Sequence, residues 1–404
     1  MLVIPSWMDT DFFQNVLVKI LKRDRNYEVK EVIVSVPTGG SSSEGVYRSR
    51  IVYEDERKKD KSITVIVKRL SPEKVESSCT SLSMRHSKSM SVEVDMHLNI
   101  LPTMLRLLEV AGINAKLGPQ HFANINVPCE VLILEDIAQS GYEIISRRFD
   151  LKSVEIILQK LAQFHATSYF MAVEDKKDFS KFRNGVFNFG TQGTKFFLEG
   201  LQYFTREALK WPELKHHHVK IRGLEERFMD ARNYLYRSES EYNVLNHGDF
   251  HMRNIMFKVS NSFIEDVVMH DFQTNVWCSP ALDLIYTFYL VADSETLQNS
   301  RHAMVSFYHS IFTATLKSMG FMGRTPTLLD LNIELIQNGF IEIFVAITFL
   351  PYQYLSFASQ RLQERITQET DQSNARSLLY TIPEYQRTMK RLFNFYLLKG
   401  FMDY

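Results

Sequence analysis

The first third of the chain alternates short apolar runs with polar or Gly/Ser-rich turns. A pattern of this kind is typical of strands that are bounded by turns. The predicted strands are 30–36, 46–54, 62–70 and 129–137. An amphipathic run at 12–21 predicts a helix before them, with Asp9 or Thr10 as its N-cap. Helical spacing returns at 91–110, where Pro102 is expected to interrupt or bend the helix.

After residue 150 the apolar spacing becomes mainly helical. The predicted helices are 152–171, 194–210, 221–238, 282–318, 328–360 with a break, and 375–399. Two short runs, 254–259 and 264–270, fit a β-hairpin within this helical part. The most apolar stretch, 340–357, is interrupted by Glu342 and Pro351. We therefore interpret it as a buried core helix rather than a membrane span.

These patterns predict an α+β fold with two lobes. The predicted N-terminal lobe, residues 1–137, is built on a small antiparallel sheet, and the larger C-terminal lobe, residues 138–404, is mainly helical. A chain of 404 residues is too long for one compact core and suits two lobes. Such an architecture does not by itself indicate a function.

The charge balance and the cysteines indicate which partners and which cellular compartment to expect. Lys+Arg and Asp+Glu number 47 each, so nothing in the charge indicates a nucleic-acid or membrane partner. The three cysteines, Cys79, Cys129 and Cys278, are far apart and form no CxxC pair, which argues against a disulfide framework or a zinc site. The N-terminus lacks the basic and apolar regions of a signal peptide. We therefore expect a cytoplasmic protein, and the sequence makes no prediction of its oligomeric state.

The stretch 245–273 contains three polar residues whose spacing indicates a particular chemistry. Asp249 is followed by Asn254 five residues later, and Asp271 comes after the predicted hairpin. Phosphoryl transfer needs an acid that orients the attacking hydroxyl and accepts its proton, and oxygen ligands that hold Mg²⁺ against nucleotide phosphates. Asp249 and Asn254 fit the catalytic role and part of the metal-binding role, and Asp271 completes the metal site. A structural turn with chance Asp and Asn is the alternative, but HGDFHxxN followed by DFQ is much rarer than a single D-x-x-x-x-N match.

The N-terminal lobe contains residues that suit the nucleotide side of such a site. Lys68 ends the third predicted strand, and in the kinase architecture a lysine there contacts phosphates and pairs with a helix glutamate, for which Glu93 is the best candidate. The Gly/Ser turn before the second strand contains Ser42 and Ser43, whose hydroxyls suit phosphate contacts, although a plain hairpin turn explains them equally well. The backbone of 132–136 suits an adenine edge, and a buried strand ending in two exposed acids is the alternative.

Together these motifs carry a family resemblance. The D-x-x-x-x-N spacing followed by a metal-binding Asp is that of the protein-kinase catalytic loop, but HGD replaces HRD and DFQ replaces DFG, which points to the small-molecule branch. The chain resembles the ecdysteroid kinase-like family of insects, relatives of choline kinases and aminoglycoside phosphotransferases. The matching segments, in family order over residues 30–290, are VYRSRIVY, ITVIVKRLSP, the ExxxHxxILP segment from Glu93 to Pro102, LILEDI, LAQFHATSY, LNHGDFHMRNIMF, VVMHDFQ and SPALDLIYTFY.

The resemblance implies a protein-kinase-like fold and transfer of the γ-phosphate of ATP to an alcohol, with ATP and Mg²⁺ as cofactors. Matched position by position, the implied residues are Asp249 as the catalytic base, Asn254 and Asp271 as metal ligands, Lys68 and Glu93 as the phosphate-side pair, Glu135 and Ile137 at the adenine-binding connection, and Asp283 as a support of the catalytic loop. The chain departs from the family pattern at His97, where an aromatic residue is usual, and at Glu44 inside a serine-heavy phosphate loop.

The acceptor implied by the resemblance is an ecdysteroid or another lipophilic hydroxylated small molecule. The aromatic residues that suit an apolar acceptor pocket, although aromatics at helical spacing more often belong to a core, are Phe187, Phe189, Phe196, Phe197, Tyr203 and Phe204. Two alternatives stay open. One is a kinase of choline or an aminoglycoside, which needs an aromatic and acidic cage for the cation. The other is a catalytically silent protein that keeps the fold only to bind ligands.

Overall fold

The computed structural model divides the chain into two compact units. The first unit consists of Met1–Ser146 and Met252–Gln273, and the second of Arg147–His251 and Thr274–Tyr404. The structure describes residues 4–21, 27–37, 45–55, 57–70, 91–126, 129–183, 185, 187, 190–235, 242–261 and 263–403. The predicted phosphate-loop residues Ser42 and Ser43 therefore lie outside the described residues.

The first unit is built on a five-stranded antiparallel sheet. Its strands are β1 (Glu28–Ser35), β2 (Val46–Glu54), β3 (Asp60–Arg69), β4 (His121–Ile125) and β5 (Val131–Glu135). They lie in the order β1-β2-β3-β5-β4, so β3 is central and pairs with both β2 and β5. The four predicted strands correspond to β1, β2, β3 and β5. The edge strand β4 is absent from the prediction because its sequence, HFANI, shows no regular alternation.

Helix α1 (Thr10–Leu21) packs on one face of this sheet. Asp9 caps it as predicted, because its Oδ1 accepts the backbone N–H of Phe12 at 2.9 Å. The apolar stripe of the helix is buried in one cluster with sheet residues, among them Phe12, Phe13, Val16, Leu17, Ile51, Val65 and Val67. Since side chains alternate along a strand, Ile66 and Lys68 of β3 lie on the opposite face of the sheet.

A helical segment that carries Glu93 follows in the described chain. Residues 91–95 are helical, Met96–Ile100 forms a π-helical turn, and α2 (Leu101–Val110) continues from it. The interruption predicted at Pro102 is thus present as a π turn that ends two residues before the proline. Proline is tolerated there because the first turn of a helix needs no intrahelical N–H donor.

Five shorter strands lie further along the chain. They are β6 (Tyr142–Glu143), β7 (Val244–Asn246), β8 (Ile255–Ser260), β9 (Phe263–Met269) and β10 (Val276–Cys278). In the first unit β6, β8 and β9 form a three-stranded sheet, which contains the predicted hairpin. In the second unit β7 pairs with β10. Neither β7 nor β10 was predicted, because three residues are too few to show a period.

The second unit is mainly helical. Its helices are α3 (Leu151–Val173), α4 (Gly190–Ala208), α5 (His218–Arg222), α6 (Leu224–Leu235), α7 (Ala281–Tyr286), α8 (Ser294–Asn299), α9 (Arg301–Ser318), α10 (Leu328–Gln337), α11 (Gly339–Thr348), α12 (Leu350–Gln353), α13 (Gln360–Gln368), α14 (Gln372–Leu379) and α15 (Pro383–Leu398). The predicted helix 282–318 is divided, because the backbone is extended at Ala292 and Asp293 and the Asp293 side chain caps α8. A sheet-rich N-terminal part and a helical C-terminal part confirm the predicted α+β, kinase-like fold class.

The most apolar stretch of the chain is a core element. Every residue of α11 except Phe340 is buried, which confirms a buried helix for the first part of this stretch. The rest of the stretch forms α12 and a short turn, where Tyr352 and Leu355 are exposed. Among the described residues, no single helix has the length and apolar character needed to cross a membrane. Helices α10 and α11 have this length and apolar character only when they are taken together, and the pair is bent by 56°.

Candidate active site

Lys68 lies near the end of the central strand β3, on the sheet face opposite α1. In the sheet register it stands between Val46 of β2 and Leu132 of β5. Only 12% of its side chain is exposed. Because β3 is paired on both sides, the backbone fixes the position from which this side chain extends.

The Lys68 ammonium bridges two carboxylates within the first unit. Its Nζ lies 2.7 Å from Oε2 of Glu93 and 2.7 Å from Oδ1 of Asp271. Burial disfavours the charge of the lysine, but the two carboxylates outweigh this effect and raise the pKa of Lys68 above its ordinary value. Burial raises the pKa of Glu93, and the ammonium works against that rise. The structure thus brings together three residues that the sequence placed in one site.

Asp271 lies two residues after the end of β9 and adopts a left-handed backbone conformation, with φ of 65°. This region is uncommon for residues other than glycine, and Asp is among those that tolerate it. While Oδ1 contacts Lys68, Oδ2 accepts a hydrogen bond from Nε2 of Gln273 at 3.2 Å. Asn254 precedes the partner strand β8, and its carbonyl accepts the backbone N–H of His270 at 3.0 Å. The β8–β9 hairpin therefore holds Asn254 and Asp271 at the same end.

A pocket of the first unit contains these groups. Among its lining residues are Lys68, Glu93, Asn254 and Asp271, and the apolar Val46, Ile66, Leu134, Ile137 and Met256. Apolar walls beside a charged group suit a nucleotide, whose base is largely apolar and whose phosphates are anionic.

Asn254 and Asp271 supply the oxygen donors that Mg²⁺ prefers. Mg²⁺ is usually held by one or two carboxylates of the protein together with substrate phosphates and water, so an amide and a carboxylate fit this metal. In the described part of the chain, no cluster of three or more His, Cys, Asp or Glu side chains is placed to hold a metal ion.

Glu135 and Ile137, predicted at the adenine-binding connection, both line the pocket. Ile137 is buried and contributes an apolar side chain. The Glu135 carboxylate lies 2.5 Å from Nζ of Lys116 and accepts the backbone N–H of Gln120 at 3.0 Å. The backbone N–H of Glu135 donates to the Gln120 carbonyl at 2.8 Å. The Glu135 carboxylate is therefore already paired with Lys116 and Gln120, and these contacts hold residues 116–120 beside the pocket.

A second ion pair of the pocket was missed by sequence reasoning. Arg48 of β2 contacts Asp136, with Nε 2.9 Å from Oδ2 and Nη2 3.0 Å from Oδ1, and both residues line the pocket. Alternation along β2 already places Arg48 on the same face as Val46, away from the core. The sequence gives no signal for its partner, because Asp136 is distant along the chain.

The predicted catalytic residue Asp249 lies in the second unit, in the loop after β7. Asp283 of α7 holds this loop, because its carboxylate accepts the backbone N–H of His247 at 2.6 Å and of Gly248 at 3.0 Å. The same carboxylate lies 3.1 Å from Nε2 of the buried His165. These contacts to one fully buried carboxylate fix the peptide groups directly before Asp249. Asp283 therefore supports the loop, as the resemblance implied.

Gly248 lets the loop turn at this point. Its φ is 82°, and a Cβ built on it would lie only 2.2 Å from the carbonyl oxygen of Thr274. No other residue fits without displacing that carbonyl. The neighbouring Asp249 keeps 25% of its side chain exposed, and its Oδ2 lies 3.3 Å from Nε2 of His251. The motif HGDFH thus combines a turn that only glycine allows with a partly exposed carboxylate.

His97, which replaces the usual aromatic residue, is buried in the first unit. Its ring lies edge-on against Phe272, with 5.6 Å between ring centroids. Neither ring nitrogen has a hydrogen-bond partner among the described residues. Burial, followed by the positive charge of Lys68, lowers the pKa of His97 to about 3. The imidazole is therefore neutral and packs as an aromatic ring.

Comparison with known proteins gives one family match and several similar structures. The sequence profile of the ecdysteroid kinase-like family matches residues 43–321, more than half of the chain. No curated protein sequence matches the chain. Aminoglycoside phosphotransferase APH(2'')-Ib, bound to ADP, shares 15% identity over 94% of this chain and 99% of its own, with a TM-score of 0.38.

Two further phosphotransferase structures show a similar degree of likeness. APH(2'')-IIia, in complex with GDP and kanamycin, shares 12% identity over 93% of this chain and 98% of its own, with a TM-score of 0.41. APH(3'')-Id from Streptomyces rimosus, in complex with ADP and streptomycin, shares 14% identity over 81% of this chain and 99% of its own, with a TM-score of 0.33.

Proposed function

The chain belongs to the ecdysteroid kinase-like family, and from this premise we propose that it is a Mg²⁺-dependent phosphotransferase that moves the γ-phosphate of ATP to an alcohol of a small lipophilic molecule. The acceptor class that we propose is an ecdysteroid or a related hydroxylated compound. This class is supported by the family name and by the aromatic content of the whole chain, which contains 29 Phe and 18 Tyr residues.

One observation carries the proposal: the Lys68 ammonium lies between Glu93 and Asp271 in a pocket that also contains Asn254. Three charged groups within salt-bridge distance are costly to bury unless they serve one another or a ligand. A lysine that is held by a helix glutamate, with a metal-binding Asp beside it, is the arrangement that phosphoryl transfer from ATP requires.

Each residue has a role that follows from its surroundings. Lys68 binds the nucleotide phosphates, and Glu93 orients the ammonium. Asn254 and Asp271 hold Mg²⁺, which neutralises charge on the phosphate oxygens when it is bound. Asp249 orients the acceptor hydroxyl and receives its proton. The Asp283 carboxylate accepts the two backbone N–H groups that precede Asp249. These hydrogen bonds hold the loop, and with it the Asp249 carboxylate, in place.

Acceptor-dependent release of ADP from Mg-ATP tests the proposal. The acceptors to compare are an ecdysteroid, other sterol alcohols, choline and an aminoglycoside. Asp249→Asn serves as the blank, because it keeps the size of the side chain but removes its basicity. We expect release with an ecdysteroid, a loss of at least about a hundredfold in Asp249→Asn, and nearly unchanged nucleotide affinity.

Controls separate the roles of the two carboxylates. Asp271→Ala is expected to weaken Mg-ATP binding as well as turnover, since it removes a metal ligand. Asp293→Asn is the matched control, because this residue caps α8 and Asn caps helices equally well. Release with only choline or an aminoglycoside would contradict the acceptor class. Tight ATP binding with no transfer to any acceptor would contradict the activity.

A further inference from the structure

A buried arginine of the second unit lacks ordinary hydrogen bonds. Arg376 lies on α14 and is only 7% exposed. Within the described part of the chain, its Nε, Nη1 and Nη2 atoms have no hydrogen-bond partner. A guanidinium carries N–H donors on all three nitrogens and always bears a charge. Burying such donors without hydrogen bonds lowers the stability of the folded protein, so a fold that retains them has a reason to do so.

Two neighbours compensate the charge of Arg376 only in part. The guanidinium carbon lies 3.7 Å from the ring centroid of Phe196, which is a cation–π contact. Oε2 of Glu199 lies 3.7 Å from Nη1, close enough to balance the charge but too far for a hydrogen bond. Phe196 and Glu199 are both partly exposed, whereas the three guanidinium nitrogens are buried.

Two further buried hydroxyls lie beside the same arginine. Among the described residues, the hydroxyl of Thr348, at the end of α11, is buried without a hydrogen-bond partner, and the hydroxyl of Tyr380, directly after α14, is buried against Arg376. All three side chains converge on Gly200 of α4. A Cβ built on Gly200 would lie 2.8 Å from Nη2 of Arg376, 3.0 Å from Oη of Tyr380 and 3.5 Å from Oγ1 of Thr348. We call Arg376, Thr348 and Tyr380 the Arg376 cluster.

We propose that the Arg376 cluster binds the carbonyl oxygen of a lipophilic ligand, and that this ligand is the phosphoryl acceptor. The cluster presents mainly donors, and a carbonyl oxygen is an acceptor only. Because Glu199 already balances part of the guanidinium charge and would repel a carboxylate, a neutral ketone is favoured over a carboxylate. Aromatic rings around the cluster, among them Phe196 and Tyr203, suit the apolar body of such a ligand.

Ring contacts connect the cluster with the support of the catalytic loop, all within the second unit. Phe196 contacts Phe349, with ring centroids 5.9 Å apart, and Phe349 contacts Tyr286 at 5.7 Å. Tyr286 lies one helical turn after Asp283 on α7, on the same side of the helix. The identification of the bound molecule as the phosphoryl acceptor rests on the proposed function. The existence of the binding site does not depend on that function.

Isothermal titration calorimetry with three steroid alcohols tests the proposal. The probes are ecdysone, which carries a ketone, lithocholate, which carries a carboxylate, and cholesterol in cyclodextrin, which carries neither. Arg376→Met removes the charge and the donors but keeps a long side chain. We expect it to weaken ecdysone binding by roughly tenfold to a hundredfold, since a hydrogen bond to a charged group is lost. Affinity for a non-hydrolysable ATP analogue should stay the same.

Further variants keep the test independent of folding. Tyr380→Phe removes a single hydroxyl, and Gly200→Ala places a methyl group against the donors, so both should weaken ecdysone binding. Arg387→Met is the matched control, because Arg387 is 70% exposed and pairs only locally with Glu384. Equal ecdysone affinity in Arg376→Met and the wild type would overturn the proposal, as would an absence of ecdysone binding by the wild type. Lithocholate binding that depends more strongly on Arg376 would also overturn it.

Binding and turnover separate the two proposals. If ecdysone binds through Arg376 but receives no phosphate, the proposed activity fails and the binding site stands. If ecdysone is phosphorylated with the same KM in Arg376→Met, the activity stands and the role of the Arg376 cluster is refuted.

Discussion

At the scale of single residues, Gly248 shows how tightly the backbone constrains the proposed catalytic loop. A side chain there faces two obstacles, a positive φ of 82° and a carbonyl oxygen 2.2 Å from the Cβ position. Gly320 of the same unit has a similar φ of 76° but no atom within 4 Å of its Cβ position. The pair therefore separates backbone strain from steric overlap.

We predict that Gly248→Ala lowers the free energy of unfolding by about 1–3 kcal/mol more than Gly320→Ala does. Both variants bear the strain of a left-handed alanine, but only Gly248→Ala must displace the Thr274 carbonyl. Urea denaturation of both variants measures the difference. Turnover should fall in Gly248→Ala because the adjacent Asp249 moves with the loop. Equal destabilisation by the two substitutions would show that the loop relaxes freely around the new methyl group.

At the scale of elements, His97 affects how the helical segment with Glu93 packs. The π turn that contains His97 presses the imidazole against Phe272, and the ring stays neutral because burial and Lys68 depress its pKa to about 3. In the unfolded chain this pKa returns to 6.5. Between these two values the folded protein binds fewer protons than the unfolded chain, so stability falls as the pH is lowered.

We predict that His97→Phe removes this loss of stability. The free energy of unfolding of the variant, relative to the wild type, should rise by about 1.4 kcal/mol for each pH unit below 6.5. Urea denaturation at several pH values between about 5 and 7 measures the slope. His302→Gln serves as the control, because His302 is exposed. Parallel pH dependences of His97→Phe and the wild type would mean that His97 is protonated in the folded protein.

Elements with a long, regular pattern were predicted well, and short or irregular ones were not. The central strand β3 and the helix α1 each bury one face, so their periods are visible in the sequence. The strands β7 and β10 have three residues each, and their existence depends on pairing with each other across the chain. A local pattern carries no information about such a partner.

The same reasoning explains which candidate site residues the sequence could indicate. Asp249, Asn254 and Asp271 lie in one short stretch whose spacing is itself the signal. Arg48 and Arg376 acquire their roles from residues far away in the chain, Asp136 in one case and Gly200 in the other. No periodicity marks such contacts, so only the structure reveals them.

At the scale of the whole molecule, the first unit is not continuous in sequence. It includes Met252–Gln273, which carries Asn254 and Asp271, together with Met1–Ser146, which carries Lys68 and Glu93. The division into lobes at residues 1–137 and 138–404 stays a prediction. A single boundary in the sequence cannot describe a unit that is built from two separate segments of the chain. All residues of the pocket nevertheless belong to this one unit.

We therefore predict that nucleotide protects the first unit selectively. In hydrogen exchange, Mg²⁺ with a non-hydrolysable ATP analogue at about a hundred times its Kd should slow amides of β3 and of the β8–β9 hairpin by about a hundredfold. Amides of α13, α14 and α15 in the second unit should exchange at unchanged rates, because none of the residues that line the pocket around Lys68 lies there. Asp271→Ala should lose the protection, and Asp249→Asn should keep it, since Asp249 serves the acceptor rather than the nucleotide. Protection of α13, α14 and α15 equal to that of β3, or its loss in Asp249→Asn, would contradict this division of roles.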